Sequence, residues 1–527
     1  ETSPSPPRCH VVGLTMLTNP VIEIYSHHFA VKQFNRDMKH VLVNFAKGYA
    51  EYETIRAWDG SVHTELRAVY AAYTRDRTEF RFHINTYDAF LTAVRNAGFD
   101  PDRFTKHIIP MYDPPDADIR TSGTKTPFPN QIEQIDHLVG PGSTKLIELP
   151  PGGGKTLCGL MAVQRLNKRA FLCLRPMYIK RWLPELYGED RILDMVPEDV
   201  IVIQGSASLK KVIQYALEGD LEYKFIVASN RTIQMFLRHY DEFGEEGCIH
   251  TYGCTPQTFC ELLGIGVRMV DEVHLDFHLN FKMDLYFHVP KIIEMTGTLV
   301  SDNKVVTRMY KVKYPPSART NPGQVSRHVT LKALFYGLND PNSVRYLQRR
   351  MYSQTTFEES VMRKPKLLKN YLKIIETVAQ EYYVKNRVEG TKMLIFAARV
   401  DMCKIIRDHL QNRWPELKVR KYTSGDSYTE SLLAADIAVS TLGSAGTAVD
   451  IPGLAVAFST TSVDSIQANV QALGRLRALR GFPGVEAVFL YLVCTDIPQQ
   501  VKYHENKTAK LRSRVKTHQV LVLEHNV

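Results

Sequence analysis

Hydrophobic spacing changes character twice along the chain, and the changes divide it into three units. In the first, Glu79–Ile84 alternates Phe80, Phe82 and Ile84 with Arg81 and His83, the two-residue period of a strand. Asn85 or Thr86 is placed to cap the helix that follows, with Tyr87, Phe90, Leu91 and Val94 on one face and Gly98 as its stop. The turn-rich stretch 112–129, with Asp-Pro-Pro, Ser-Gly and Pro-Phe-Pro, reads as a linker. From Gln131 onward, short apolar runs without alternation take over: Leu146–Leu149, Ala170–Leu174, Phe225–Ala228, Val267–Val270 and Ile292–Met295. A second series follows Lys313, at His328–Tyr336, Met393–Phe396, Val419–Tyr422, Ile437–Ser440, Val456–Ser459 and Ala487–Val493. Brief uniform runs separated by helical lengths predict strands buried on both faces of a parallel sheet. The expected fold class is therefore α/β, with a small α/β N-terminal domain over 1–113 and two tandem parallel-sheet lobes over 114–312 and 313–527.

Composition narrows the class. A chain of 527 residues with 44% hydrophobic content can bury a sizeable core and suits about three domains. No apolar run reaches the ~18–20 residues that span a bilayer, and the opening residues do not read as a signal peptide, so no membrane partner is expected. The net charge of +10 favours a polyanionic partner. Eight cysteines are scattered without a CxxC pair. Cys248, Cys254 and Cys260 lie near His250, but their gaps fit no zinc knuckle, and they read as core thiols in a reducing interior. The expected location is cytoplasmic. The Pro/Ser-rich segment 2–8 reads as an extended lead-in, and the start at Glu1 as either a trimmed or a proteolytically made terminus.

Two short motifs carry the chemistry. Leu146–Leu149 runs into Pro150-Pro151-Gly152-Gly153-Gly154-Lys155-Thr156 and then a helix. A strand, a glycine turn and a helix N-terminus aim several backbone N–H groups and the helix dipole at one point, where phosphate oxygens sit well. Lys155 is expected to neutralise the β- and γ-phosphates of ATP, and the Thr156 hydroxyl to ligate Mg²⁺. The longer pattern GxxxxGK[ST] asks for glycine at 149, where Leu149 stands. The second motif, Asp271-Glu272-Val273-His274, ends the apolar run Val267–Val270. At a strand tip beside a phosphate loop, Asp271 suits the metal and Glu272 the general base for water, while His274 is positioned to couple the site to the next strand.

With these two anchors in place, the chain resembles the superfamily 2 DExH-box helicases over about residues 127–493, and the family's other motifs follow in order. Phe128 and Gln131 resemble the adenine-reading glutamine motif. Leu174-Arg175-Pro176 with Trp182 and Glu185 resembles motif Ia, Ser229-Asn230-Arg231-Thr232 motif Ib, and Thr296-Gly297-Thr298 motif III. In the second lobe, Phe396-Ala397-Ala398-Arg399 resembles motif IV and the run from Ser440 to Pro452 motif V. Gln471-Ala472-Leu473-Gly474-Arg475-Leu476-Arg477 resembles motif VI. A small α/β unit ahead of the first lobe, together with this form of motif VI, is most similar to the UvsW-type phage DNA helicases.

The resemblance implies RecA-like lobes, ATP and Mg²⁺, and hydrolysis driven from both lobes. Gly152, Gly153, Gly154, Lys155 and Thr156 would bind ATP with Phe128, Gln131, Gly446, Asp450 and Gln471. Arg475 would be an arginine finger. The family's second finger falls at 478, where Ala478 stands, leaving Arg477 or Arg480. Arg175, Pro176, Trp182, Ser229, Asn230, Thr296, Thr298, Phe396, Arg399 and Thr441 would hold a nucleic-acid strand, DNA in preference to RNA. The implied activity is that of an ATP-dependent helicase or translocase on branched or duplex DNA in phage recombination, replication or repair, monomeric or weakly associating. Its rivals are a duplex translocase or packaging-type motor that separates no strands, and a polypeptide-moving motor built on the same lobes. Basic residues at Lys507, Lys510, Arg512, Arg514 and Lys516 form either a solvated face or a further nucleic-acid contact.

Overall fold

Runs such as Val267-Arg268-Met269-Val270 and Ala170–Leu174 are buried at every position, which only a strand flanked by other strands and covered on both faces achieves. The computed structural model describes residues 19–56, 61–150, 152–320, 327–423, 426–445, 451–479 and 481–527. In the first lobe six parallel strands run in the order Val200–Ile203, Phe225–Ser229, Ala170–Leu174, Val267–Val270, Lys291–Thr296 and Thr144–Glu148. In the second, seven parallel strands run in the order Val419–Tyr422, Ile437–Thr441, Lys392–Ala397, Leu454–Ser459, Ala487–Cys494, Val329–Tyr336 and Thr517–Val522. Helices cover both faces of each sheet, so the fold is α/β with two tandem RecA-like lobes behind an N-terminal α/β unit. No helix among the described residues is long and apolar enough to cross a membrane.

The N-terminal unit is a five-stranded sheet in the order Ala72–Tyr73, Glu79–His83, His28–Lys32, Val21–Ile24 and Thr105–Ile108, antiparallel except at the last pair. Ile22, Phe29, Val31, Phe80 and Phe82 line its apolar face and pack against Met38, Leu42, Phe90 and Val94 from the helices Arg36–Lys47 and Tyr87–Asn96. Alternation along such a strand usually means one dry face and one wet one. Here the second face is buried as well. Arg81, His28 and His83 are all enclosed against the first lobe.

That polar interface is specific. The Asp284 carbonyl lies 2.9 Å from His28 Nδ1 and the Arg81 guanidinium 2.9 Å from His28 Nε2. A carbonyl only accepts and a guanidinium only donates, so the ring is neutral with its proton on Nδ1. His27 donates to the Val289 carbonyl at 2.8 Å. Behind them, Lys313 pairs with Asp284 (2.6 Å) and Glu294 (2.8 Å), and Arg268 also pairs with Asp284, all four fully buried. Burial pulls His27 down to about 4 and His83 to about 3, against the pull of Asp284. Burial and the Arg81 charge carry His28 well below its ordinary value.

A base whose folded pKa is depressed stabilises the fold above its unfolded value of about 6.5, and that stability is lost as pH falls toward the folded value. The N-terminal unit should therefore loosen from the first lobe between pH ~6.5 and ~4. Limited proteolysis across that range would cut first near the seam between the two. Equal resistance at pH 7 and pH 4.5 would contradict the assignment.

Candidate nucleotide site

The strand Thr144–Glu148 delivers the chain to a tight loop in which Gly152 (φ +80°) and Gly154 (φ +84°) take left-handed backbone, and the helix Lys155–Leu166 begins at once. A Cβ at either position would also displace the tip of a neighbouring side chain. A Cβ on Gly154 would fall 2.2 Å from Gln131 Nε2, and one on Gly152 would fall 2.5 Å from the Arg477 guanidinium carbon. Leu149, where the longer motif has its first glycine, is buried in the core and anchors the loop. Gln131 donates through Nε2 to the Gly153 carbonyl (3.1 Å) and accepts the Phe128 N–H at Oε1 (2.9 Å), so its carboxamide braces the loop. Phe128 stands 67% exposed next to it, an open aromatic face.

Asp271 and Glu272 emerge at the tip of the buried strand Val267–Val270. Glu272 has φ +48°, a left-handed conformation that costs a residue with a Cβ on the order of 1–3 kcal/mol. The distortion gives its carboxylate three neighbours: Lys155 Nζ at 3.1 Å, the Gly297 N–H at 3.2 Å and His274 Nδ1 at 3.4 Å. Burial works to raise the Glu272 pKa, but the Lys155 charge, helped by the Gly297 N–H, outweighs it and holds the carboxyl below its ordinary range. Asp271 moves the other way, pushed up to about 6 by burial and by the neighbouring Glu272 charge. One Asp271 oxygen accepts the Trp182 indole N–H at 3.3 Å, and the other is buried without a hydrogen-bond partner. A buried, unpartnered carboxylate oxygen lining the same cavity as Thr156 is a fitting donor set for a hard divalent cation.

The second lobe closes over this face. Its helix Ile466–Leu473 brings the Gln471 carboxamide to His274 Nε2 (2.5 Å), while His274 Nδ1 reaches Thr296 Oγ1 (2.7 Å), which itself donates to the Thr298 carbonyl (3.0 Å). Each link fixes the next, so His274 is neutral with its proton on Nδ1. Arg475 and Arg477 line a cavity of about 900 Å³ together with Gly152, Lys155, Thr156, Asp271 and Glu272. The helix stops at Leu473, so no turn remains to put the third residue after Arg475 on the same face. Two arginines spaced by two, rather than three, therefore reach one cavity. Arg480, Gly446 and Asp450 lie outside the described residues.

The residues expected on the nucleic-acid side divide into several groups. Trp182 is only 6% exposed and turns its indole N–H to Asp271, lining the same cavity as the glycine loop instead of an open surface. Phe396 is 0% exposed inside the second lobe's core, because its central strand is covered on both faces; it offers a strand no surface. Ser229, Thr296 and Thr298 are buried; Thr296 is engaged with both Thr298 and His274. Arg175 grips Asp276 through two bonds of 2.8 and 2.9 Å, and Asn230 adds a third at 2.9 Å. Pro176 opens the helix behind Arg175. Arg399 and Thr441 sit at strand ends on the second lobe, each heading a helix.

Three contributors gave no signal of their own in the sequence. Asp276 organises Arg175 and Asn230. Asp302 of the first lobe accepts the Ile466 N–H at 3.0 Å and the Lys510 ammonium at 2.6 Å, both from the second lobe. Glu358 receives the N–H groups of Ala398 and Arg399 at 2.8 Å each. The basic C-terminal run is largely structural: Lys507 is buried over the Tyr491 ring, Lys510 holds Asp302, and Lys516 pairs with Glu486 at 3.1 Å. Cys248, Cys254 and Cys260 are packed in the first lobe's core.

Trp182→Phe removes one N–H and little volume. Partners that orient a ligating carboxylate typically hold about 10–100-fold of metal affinity. The variant should accordingly need roughly 10-fold more Mg²⁺ for half-maximal ATP hydrolysis, with unchanged affinity for nucleic acid. A Mg²⁺ titration that overlays the parent's, with nucleic-acid affinity reduced, would return Trp182 to the strand side.

Two parallel-sheet lobes meeting over a glycine loop and a carboxylate pair define a two-lobed α/β protein of the RecA-like class. Among solved structures, the crystal structure of T4 UvsW aligns with 96% of this chain and 99% of its own, at 12% sequence identity and a TM-score of 0.33. A likeness of that depth carries no argument about chemistry. No protein-family model and no curated protein matches the chain.

Proposed function

We propose that the chain is a nucleic-acid-dependent ATPase of the superfamily 2 helicase type, with 114–312 and 313–527 as its motor halves and 1–113 as an accessory domain. One observation carries the reading: Lys155, Asp271 and Glu272 from one lobe and Arg475 and Arg477 from the other line a single cavity at the seam. In this reading Lys155 and the loop N–H groups bind the triphosphate, and Thr156 and Asp271 hold Mg²⁺. The bound ion neutralises phosphate charge. Glu272, kept ionised by Lys155, takes a proton from the attacking water, and the two guanidinium groups stabilise charge on the transferring phosphoryl group. Because the arginines come from the second lobe, hydrolysis depends on how the lobes meet, which is how such a site couples turnover to movement.

The substrate we assign is DNA, branched or duplex, in keeping with the net charge of +10. The test is the rate of phosphate release with single-stranded, duplex and forked DNA, with RNA and with an unfolded polypeptide. Stimulation by DNA is expected. Stimulation by the polypeptide alone would overturn the assignment, and displacement of a triplex strand without unwinding of a fork would mark a duplex translocase.

A further inference from the structure

Between the strand Val329–Tyr336 and the helix Gln354–Met362 the second lobe carries a short hairpin, in which Leu347 faces Tyr352 and Gln348 faces Met351. Both residues of its turn are arginines, and both are left-handed, with φ +50° at Arg349 and +63° at Arg350. Positive φ at both central positions is the mark of a type I′ turn, which Asn-Gly fills most comfortably because it limits the clash of Cβ with the backbone. Two arginines in those places strain the backbone, and strain of that kind concentrates where side chains act.

The surroundings point to a ligand of negative charge. Arg349 and Arg350 are exposed, with Leu347 (47%) and Met351 (58%) beside them. From residue 345 to 366 there are six Lys or Arg and two carboxylates; of the latter, Glu358 is buried and Glu359 is paired with Arg363. The hairpin is also rigidly mounted. The Tyr352 hydroxyl donates to Gln354 Oε1 (2.6 Å) and accepts from Gln500 (2.8 Å). Gln354 in turn reaches the Thr460 carbonyl (3.3 Å) and the Ser462 N–H (3.0 Å). One turn along the same helix, Glu358 holds the backbone amides of Ala398 and Arg399. The base of the hairpin is thus tied to loops at the C-terminal ends of Lys392–Ala397 and Leu454–Ser459, the rim at which open parallel sheets bind their ligands.

We infer that the Leu347–Tyr352 hairpin is a nucleic-acid contact of the second lobe, with Arg349 and Arg350 each taking a backbone phosphate and Met351 lying against a base. This rests on the chain being a nucleic-acid motor. Phosphate contacts by arginine position a strand without reading its sequence, and exposed apolar side chains of this size insert between bases.

The test replaces the turn with the sequence its geometry favours, Arg349→Asn with Arg350→Gly, in the full chain. Binding of a fluorescent single-stranded oligonucleotide is measured across a potassium chloride series. Removing two phosphate contacts should flatten the plot of log affinity against log salt by about 1.4. The melting temperature should hold or rise, and ATP hydrolysis without nucleic acid should stay at the parent's rate. The Arg349→Lys, Arg350→Lys form should restore the parent's slope. An unchanged slope in the Asn-Gly form, whether or not affinity falls, overturns the assignment while leaving the motor reading intact. A parent chain that binds no oligonucleotide at all overturns both.

Discussion

Lys155→Ala is expected to abolish ATP turnover while leaving nucleic-acid affinity within about twofold, our allowance for a site remote from the phosphate backbone. The loss has two sources. The variant removes the cation that the glycine loop presents to the phosphates, and it strips Glu272 of the ammonium 3.1 Å away that opposes burial in setting its charge. Losing one group that stabilises charge in the transition state costs about 10²–10³ in rate, before any loss of phosphate binding is added. Phosphate release at saturating oligonucleotide, beside anisotropy of the same oligonucleotide, measures both halves. Turnover within tenfold of the parent would mean that the loop does not hold the triphosphate.

Arg475→Ala should bind nucleotide normally and hydrolyse it about 10³–10⁵-fold more slowly, the range found for arginine fingers. The side chain is buried at the seam and lines the cavity with Lys155 and Glu272, so its charge is little screened by solvent. Arg477→Ala should show the same split between binding and hydrolysis, since its guanidinium lies against Gly152. Melting curves separate a catalytic loss from a folding one. Rates near the parent's in a folded Arg475→Ala variant would rule out catalysis across the seam.

Much of this fold was legible because burial on two faces leaves a plain mark. The expected run Val267–Val270 is a strand with those bounds, and Ala170–Leu174 likewise. Edge strands leave a weaker one. Val200–Ile203 is a uniform apolar run of only four residues, three of them partly open at the sheet edge, and Thr517–Val522 is largely exposed and mixed in polarity. Alternation at Phe80, Arg81, Phe82 and His83 gave the strand but not the destination of its polar face, since local period says nothing about a partner 200 residues away. Motif resemblance identified Trp182 and Phe396 as a pair of strand contacts, yet one turns to Asp271 and the other into the core. Side-chain direction is fixed by packing that no local spacing encodes. The turn at Arg349 and Arg350 was illegible for a different reason, because it lacks the Asn-Gly that announces its type.

The helix Ile466–Leu473 is held by the opposite lobe at two places, Asp302 on the Ile466 amide and His274 on Gln471. Five residues of helix put those fastenings about 7.5 Å apart. A rod pinned once can pivot, whereas a rod pinned twice along its length keeps its bearing, so the arginine at its far end is aimed as well as delivered.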